Sequence, residues 1–208
     1  MSNANIECVK SYFDGHKISI VQRKFLVIAA AAYFFDQMDV ILFGLVAPVI
    51  KEQWSLSLDQ IALMSSLSFW GMCIGGISGG VIANYIGRKK GLLFCIGIFS
   101  IAQIINGLTS SVLIFYCMRF LVGFGVIGMV VIAMVYIAEM MPSENRGKYQ
   151  SIAVAVGVTG IPISAILATV LIPLTPHSWR IVFVLGGGEH FPLTTRTEMV
   201  TGIPQMAG

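Results

Sequence analysis

Five long apolar stretches are the feature that most constrains how this sequence can fold. Each stretch is long enough to cross a membrane or nearly so, which takes about 20 residues of α-helix. The stretches are continuously apolar and show no alternation of apolar and polar residues, so they predict helices rather than the strands of a transmembrane barrel. The predicted spans are Phe25–Ile50, Ile61–Ala83, Gly91–Leu108, Val112–Met140 and Ser151–Leu174.

A sixth apolar stretch, Trp179–Gly187, begins like the others but is much shorter. Residues 188–208 after it are polar, with scattered Pro, Thr and Gly and no helical periodicity. We interpret them as an atypical tail, disordered or produced by truncation, with an unusual genuine terminus as the alternative. The sequence predicts an all-α, polytopic membrane protein with five full transmembrane helices and an incomplete sixth. Its expected parts are a cytoplasmic segment 1–23, a helical unit 24–187 and the tail.

Composition supports the membrane assignment and excludes several classes of function. Hydrophobic residues make up 56% of the 208 residues, charged residues only 11%, and the mean hydropathy is +0.85. Ordinary soluble domains carry about 25% charged residues. The net charge of +3 includes no basic arm, so we expect no nucleic-acid partner. The four cysteines lack CxxC spacing, the three histidines are dispersed, and no HExxH motif occurs, so we expect no metal, no cofactor and no enzyme activity.

Basic residues lie mainly before the first span and in alternate links between spans. By the positive-inside rule, this bias places the N-terminus and the links after the second and fourth spans in the cytoplasm. The opposite side carries only Lys51 and Arg180. The basic residues assigned to the cytoplasm are Lys10, Lys17, Arg23, Lys24, Arg88, Lys89, Lys90, Arg146 and Lys148.

Three ionisable residues are predicted to lie deep in the bilayer. Asp36 and Asp39 stand near the middle of the first span, on one face of the helix, where each costs about 2.5–3.5 kcal/mol. Since burial penalises the charged form of a carboxyl, we interpret them as proton-binding groups, with a static polar pair as the alternative. Arg119 in the fourth span needs a counter-ion. We predict an Asp39–Arg119 pair that is made and broken as Asp39 titrates; the alternative is that Arg119 extends to the outer headgroups.

Small residues recur in three spans at spacings that let helix backbones approach closely. We therefore predict helix packing at these positions. They are Gly71, Gly75 and Gly79 in the second span, Gly123 and Gly125 in the fourth, and Gly157 and Gly160 in the fifth.

The link after the second span resembles the signature loop of the major facilitator superfamily, G-x3-D-x2-G-R-[RK]. The matching residues are Gly80, Asn84, Gly87, Arg88 and Lys89. Asn84 stands where the family usually has an acid, so that acid's contact with a neighbouring arginine is lost here.

Three further patterns resemble the same family, in its sugar-porter and aromatic-acid:proton symporter branches. The resemblance covers about residues 24–187, in the order that the family has. The patterns are Arg119-x3-Gly123-x-Gly125, Tyr136-x-Ala138-Glu139-x2-Pro142-x3-Arg146-Gly147 and Trp179-Arg180.

The resemblance implies half of a twelve-helix transporter fold, in a protein that moves a small organic solute, a sugar or an organic or aromatic acid, by alternating access and with proton coupling. Asp39 and Arg119 then occupy the family's proton-coupling positions, and Asp36 resembles the first acid of a paired-acid motif. The alternative function is that of a truncated, non-transporting membrane fragment of such a carrier. Expected partners are the solute, protons, the lipid bilayer, and a missing C-terminal half or a second chain.

The resemblance also assigns Arg88, Glu139 and Arg146 to a cytoplasmic charge cluster that closes the inner gate; the alternative is that they anchor the chain at the membrane surface. The solute itself is left open. Arg119 near the middle of the membrane favours an organic anion, whereas Gln103 and Asn106 are suited to hydroxyl groups.

Overall fold

A computed structural model describes residues 20–141, 145–171 and 178–188. These residues are α-helical almost throughout, and no strand occurs among them. The predicted tail after Gly188 and nearly all of the predicted segment 1–23 lie outside the described residues. The helices are α1 Ile20–Gln53, α2 Leu58–Ile86, α3 Arg88–Leu108, α4 Val112–Met140, α5 Arg146–Val158, α6 Gly160–Leu171 and α7 Ser178–Gly188.

Five helical segments in the described part are long and apolar enough to cross a membrane, as the sequence predicts. Four of them correspond to α1–α4, and the fifth runs through α5 and α6. The helices extend past the predicted apolar spans because their ends are polar. At the start of α2, the Ser57 hydroxyl accepts a hydrogen bond from Gln60 N–H at 3.2 Å, and the Gln60 side chain accepts one from Ser57 N–H at 2.9 Å. This reciprocal cap begins the helix before the first buried apolar residue.

The fifth predicted span is not one continuous helix. It divides at Thr159 into α5 and α6, and the predicted end at Leu174 lies outside the described residues. Pro162 has no backbone N–H, so the carbonyl of Val158 loses its usual helical donor. At the break itself, the Thr159 N–H bonds to Val156 O, three residues back, at 3.1 Å, as a tightened turn. The hydropathy pattern conceals this break because apolar residues continue on both sides.

The most extensive helix contact is between α2 and α4, and glycines make it possible. A Cβ at Gly71 or Gly75 would collide with the carbonyl oxygens of Phe120 and Phe124 in α4, and one at Gly123 would collide with the Ser68 carbonyl in α2. The other predicted packing glycines also lie at helix contacts. Gly79 faces Gly128 of α4, Gly125 faces Cys95 and Phe99 of α3, Gly157 faces Tyr33 of α1, and Gly160 faces Phe34 of α1.

The beginning of α7 is fixed by polar and aromatic contacts. Trp179 Nε1–H donates to Gln53 Oε1 at 2.8 Å, and its ring meets those of Trp54 and Phe115 edge to face. The Arg180 guanidinium donates to the last carbonyls of α3, including Thr109 O at 2.8 Å. These contacts join the ends of α1 and α3 and the start of α4 to the start of the sixth predicted span.

We expect Gly75→Ala to destabilise the protein by about 1–3 kcal/mol, the usual range for overpacking. The added methyl group would meet the Phe124 carbonyl, which belongs to the backbone and cannot move aside. Gly80→Ala is the matched control, because no atom lies within 4 Å of a Cβ at that position of the same helix. Thermal unfolding in one detergent compares the two variants, and equal melting temperatures would contradict the described α2–α4 contact.

Candidate functional site

A buried ion pair joins α1 to α4. Asp39 Oδ1 lies 3.3 Å from Arg119 Nη1, and both side chains are only 2% exposed. The structure therefore brings together the pair that the sequence predicts. The alternative, in which Arg119 extends to the headgroups, is wrong.

Neutral groups complete the surroundings of the pair. Gln103 Nε2 on α3 donates to Asp39 Oδ1 at 2.6 Å, and Arg119 Nε donates to Ser68 Oγ on α2 at 3.0 Å. The guanidinium carbon also lies 4.1 Å from the centroid of the Phe43 ring, in cation–π geometry. Both donors to Asp39 use Oδ1, while Oδ2 is buried without a hydrogen-bond partner among the described residues. Oδ2 is therefore the oxygen at which a proton can be added without displacing a donor.

Asp36 lies one turn before Asp39 on α1 and is 7% exposed. It makes no hydrogen bond or ion pair with another described side chain, so Arg119 pairs with Asp39 and not with Asp36. The described part of the chain contains no group of three or more His, Cys, Asp or Glu residues suited to a metal ion.

The polar residues of α3 face into the helical bundle. Gln103 is 1% exposed and Asn106 is completely buried. Gln103 holds Asp39 through the hydrogen bond from its Nε2. Sequence reasoning missed this contact, although an amide in an apolar span was a signal that a partner was needed.

A half-open depression of about 130 Å³ lies beside Arg119, between α1, α2 and α4. Sequence reasoning did not identify it; the one signal was Ser65 and Ser68, a turn apart in an otherwise apolar helix. The lining residues are Val40, Phe43, Gly44, Ser65, Ser68, Phe69, Met72 and Arg119.

A second ion pair lies at the opposite end of α4 from the Trp179 contacts. Arg88 Nη2 is 2.7 Å from Glu139 Oε1, with side chains 26% and 47% exposed, so the pair links the start of α3 to the end of α4 at a solvated position. Arg146 does not join it among the described contacts. Its Nε donates instead to the Met141 carbonyl at 3.2 Å.

The turn between α2 and α3 depends on Gly87. Its φ of 90° lies in the region that residues with a Cβ rarely adopt, so glycine allows α2 and α3 to be separated by this single residue. Asn84 is exposed, Lys89 is half-buried, and Gly80 has open space beside it.

Comparison with known proteins gives a family match over most of the chain. The model of the Major Facilitator Superfamily matches residues 29–188. YyaJ of Bacillus subtilis, which is named as a metabolite transport protein, is 40% identical over 173 residues, covering 83% of this chain and 38% of YyaJ. The benzoate transport protein of Acinetobacter baylyi is 23% identical over 202 residues, covering 95% of this chain and 42% of the relative.

The fold also matches a solved transporter. The xylose transporter XylE from E. coli, in a partially occluded inward-open conformation, superimposes with a TM-score of 0.76 at 18% identity. The match covers 89% of this chain and 49% of XylE. The chain thus spans about half the length, or somewhat less, of these proteins.

Proposed function

The chain belongs to the major facilitator superfamily of integral membrane transporters, and on this basis we propose that it forms the N-terminal half of a proton-coupled carrier for a small organic acid. The buried Asp39–Arg119 pair is the observation that carries the proposal. The name of the benzoate-transporting relative supports an aromatic acid as solute. XylE, the structural neighbour, carries xylose, and a sugar is the second candidate.

The pair supplies a simple route for coupling protons to an anion. When Asp39 takes up a proton, Arg119 keeps its charge but loses its counter-charge. A buried charge without a partner is unfavourable by about 3–5 kcal/mol. An entering carboxylate restores the balance, so that proton and anion bind favourably together and one of each crosses without net charge. Asp36, one turn away, is the second carboxyl of this proposed proton site.

We place the N-terminal end of α1 on the cytoplasmic side, which puts the Arg88–Glu139 pair at the cytoplasmic ends of α3 and α4. Partly exposed ion pairs are worth about 0–1 kcal/mol, so this one can break and re-form as an inner gate without a large barrier. Gly87 makes the tight turn beside it, and Asn84 replaces the family's acid there. Lys89 and Arg146 are the further basic residues that we assign to this gate.

The proposed function can be tested with a joined carrier, which is YyaJ with its corresponding half replaced by residues 24–187 of this chain. The joined carrier would be reconstituted in liposomes. With an acidic exterior, we expect saturable accumulation of benzoate that a protonophore abolishes, because the proton gradient drives the anion inward. Protein-free liposomes provide the correction for passive permeation of neutral benzoic acid. Saturable uptake that ignores the proton gradient would contradict proton coupling, and xylose accumulation without benzoate uptake would contradict the organic-acid assignment.

A further inference from the structure

We propose that the depression between α1, α2 and α4 is the subsite that binds the carboxylate end of an aromatic acid, an inference that rests on the proposed transport function and identifies its solute-binding residues. The guanidinium of Arg119 is the anion-binding group. Its Nη1 contacts Asp39 and its Nε contacts Ser68, whereas Nη2 makes no hydrogen bond with a described residue. Because Arg119 also lines the depression, an anion placed there meets a donor that is not already used.

The walls of the depression favour an aromatic ring over a sugar. Phe69 supplies an aromatic face that is 59% exposed in this half, and the buried Phe43 ring lies against the Arg119 guanidinium. The Ser65 and Ser68 hydroxyls are the neutral polar side chains in the lining, and each donates to a carbonyl of its own helix. A sugar needs a hydrogen-bond partner for most of its hydroxyls, whereas a ring with one carboxylate needs apolar surface and one cation. The lining provides the second combination.

The size of the depression indicates that it is one end of a site. Its volume of about 130 Å³ is smaller than the roughly 300–1,000 Å³ of a complete small-molecule pocket. Gly44 contributes to the opening, because no atom lies within 4 Å of a Cβ at this position. The carboxylate and the adjoining part of a ring therefore fit against this half, and the rest of the solute extends beyond it.

The charge state of Asp39 sets the affinity of the subsite. Among the described residues, the charged groups near Arg119 are Asp39 and Asp36, both on α1. The side chains that α2 and α3 present there, Ser68 and Gln103, are neutral. Ionised Asp39 competes with a solute carboxylate for the guanidinium. Asp39→Asn removes this competition, and we expect it to strengthen carboxylate binding by roughly tenfold, the lower end of measured couplings between close charges.

Binding of benzoate to the 208-residue chain in lipid nanodiscs tests the subsite, with benzyl alcohol as the uncharged probe. Saturation-transfer NMR gives both affinities. We expect benzoate to bind and benzyl alcohol to bind at least tenfold more weakly. Gly44→Leu would fill the depression and weaken benzoate binding by at least tenfold. Gly97→Leu on α3 is the matched control, because its Cβ also meets open space but lies outside the depression, and it should leave the affinity unchanged.

Equal benzoate affinity in the Gly44→Leu and Gly97→Leu variants would overturn the proposal, as would equal affinity for the two probes. If Gly44→Leu does not fold, Phe69→Leu is the second test: this exposed residue should lose about threefold in benzoate affinity through the missing aromatic wall, and no loss would count against the site. The proposed transport function can fail while the proposed subsite is retained. Benzoate binding that responds to these variants, without proton-driven uptake by the joined carrier, would keep the subsite and refute coupling.

Discussion

Asp39→Asn is expected to abolish proton-driven accumulation by the joined carrier while leaving exchange of solute across the membrane at a substantial fraction of its original rate. Accumulation requires that a proton be released after each crossing, and asparagine has no proton to release. Exchange requires only the alternating motion with solute bound. Gln103 can still contact the amide that replaces the carboxylate, so the surrounding packing is retained.

The measurement compares uptake under a pH gradient with exchange of labelled for unlabelled benzoate in the same liposomes. Asp36→Asn is the matched control, since it removes a carboxyl one turn away that makes no contact with Arg119. We expect it to reduce accumulation less than Asp39→Asn. Full accumulation by the Asp39→Asn carrier would remove this residue from the coupling mechanism.

The sequence was sufficient to predict the charge pair because the chemistry left few choices. A buried arginine needs an acid, and Asp36 and Asp39 were the deep acids available. Which of the two forms the pair with Arg119 depends on helix rotation, and the sequence favoured Asp39 through its family position. Gln103 was harder to place. Its contact with Asp39 joins two helices, α3 and α1, that share few other contacts, and periodicity within one span cannot reveal it.

The remaining differences arise where a local chemical detail overrides hydropathy. The break at Thr159 follows from a missing N–H at Pro162, and the early start of α2 follows from the polar cap at Ser57. The depression beside Arg119 is a property of three helices together. Ser65 and Phe69 contribute to it only because the α2 glycines bring this helix against α4.

The 208-residue chain alone is expected not to catalyse proton-driven uptake, whereas the carrier joined to a second half is expected to do so. Transporters of this architecture bind solute between two six-helix halves and expose it alternately to each side. This chain corresponds to 38% of YyaJ and 49% of XylE. In the proposed function it provides the proton site and one wall of the solute site, and neither can be closed from the opposite side without a partner.

Liposomes containing equal amounts of either protein allow a direct comparison of initial benzoate uptake under a pH gradient. We expect uptake by the chain alone to match that of protein-free liposomes, even where NMR shows that benzoate binds to it. Binding without transport is the expected signature of a half site, because the proposed Arg119 subsite lies in this chain whereas the alternating movement needs both halves. Saturable uptake by the chain alone, lost in Asp39→Asn, would contradict this expectation and show that two copies of the chain assemble into a working carrier.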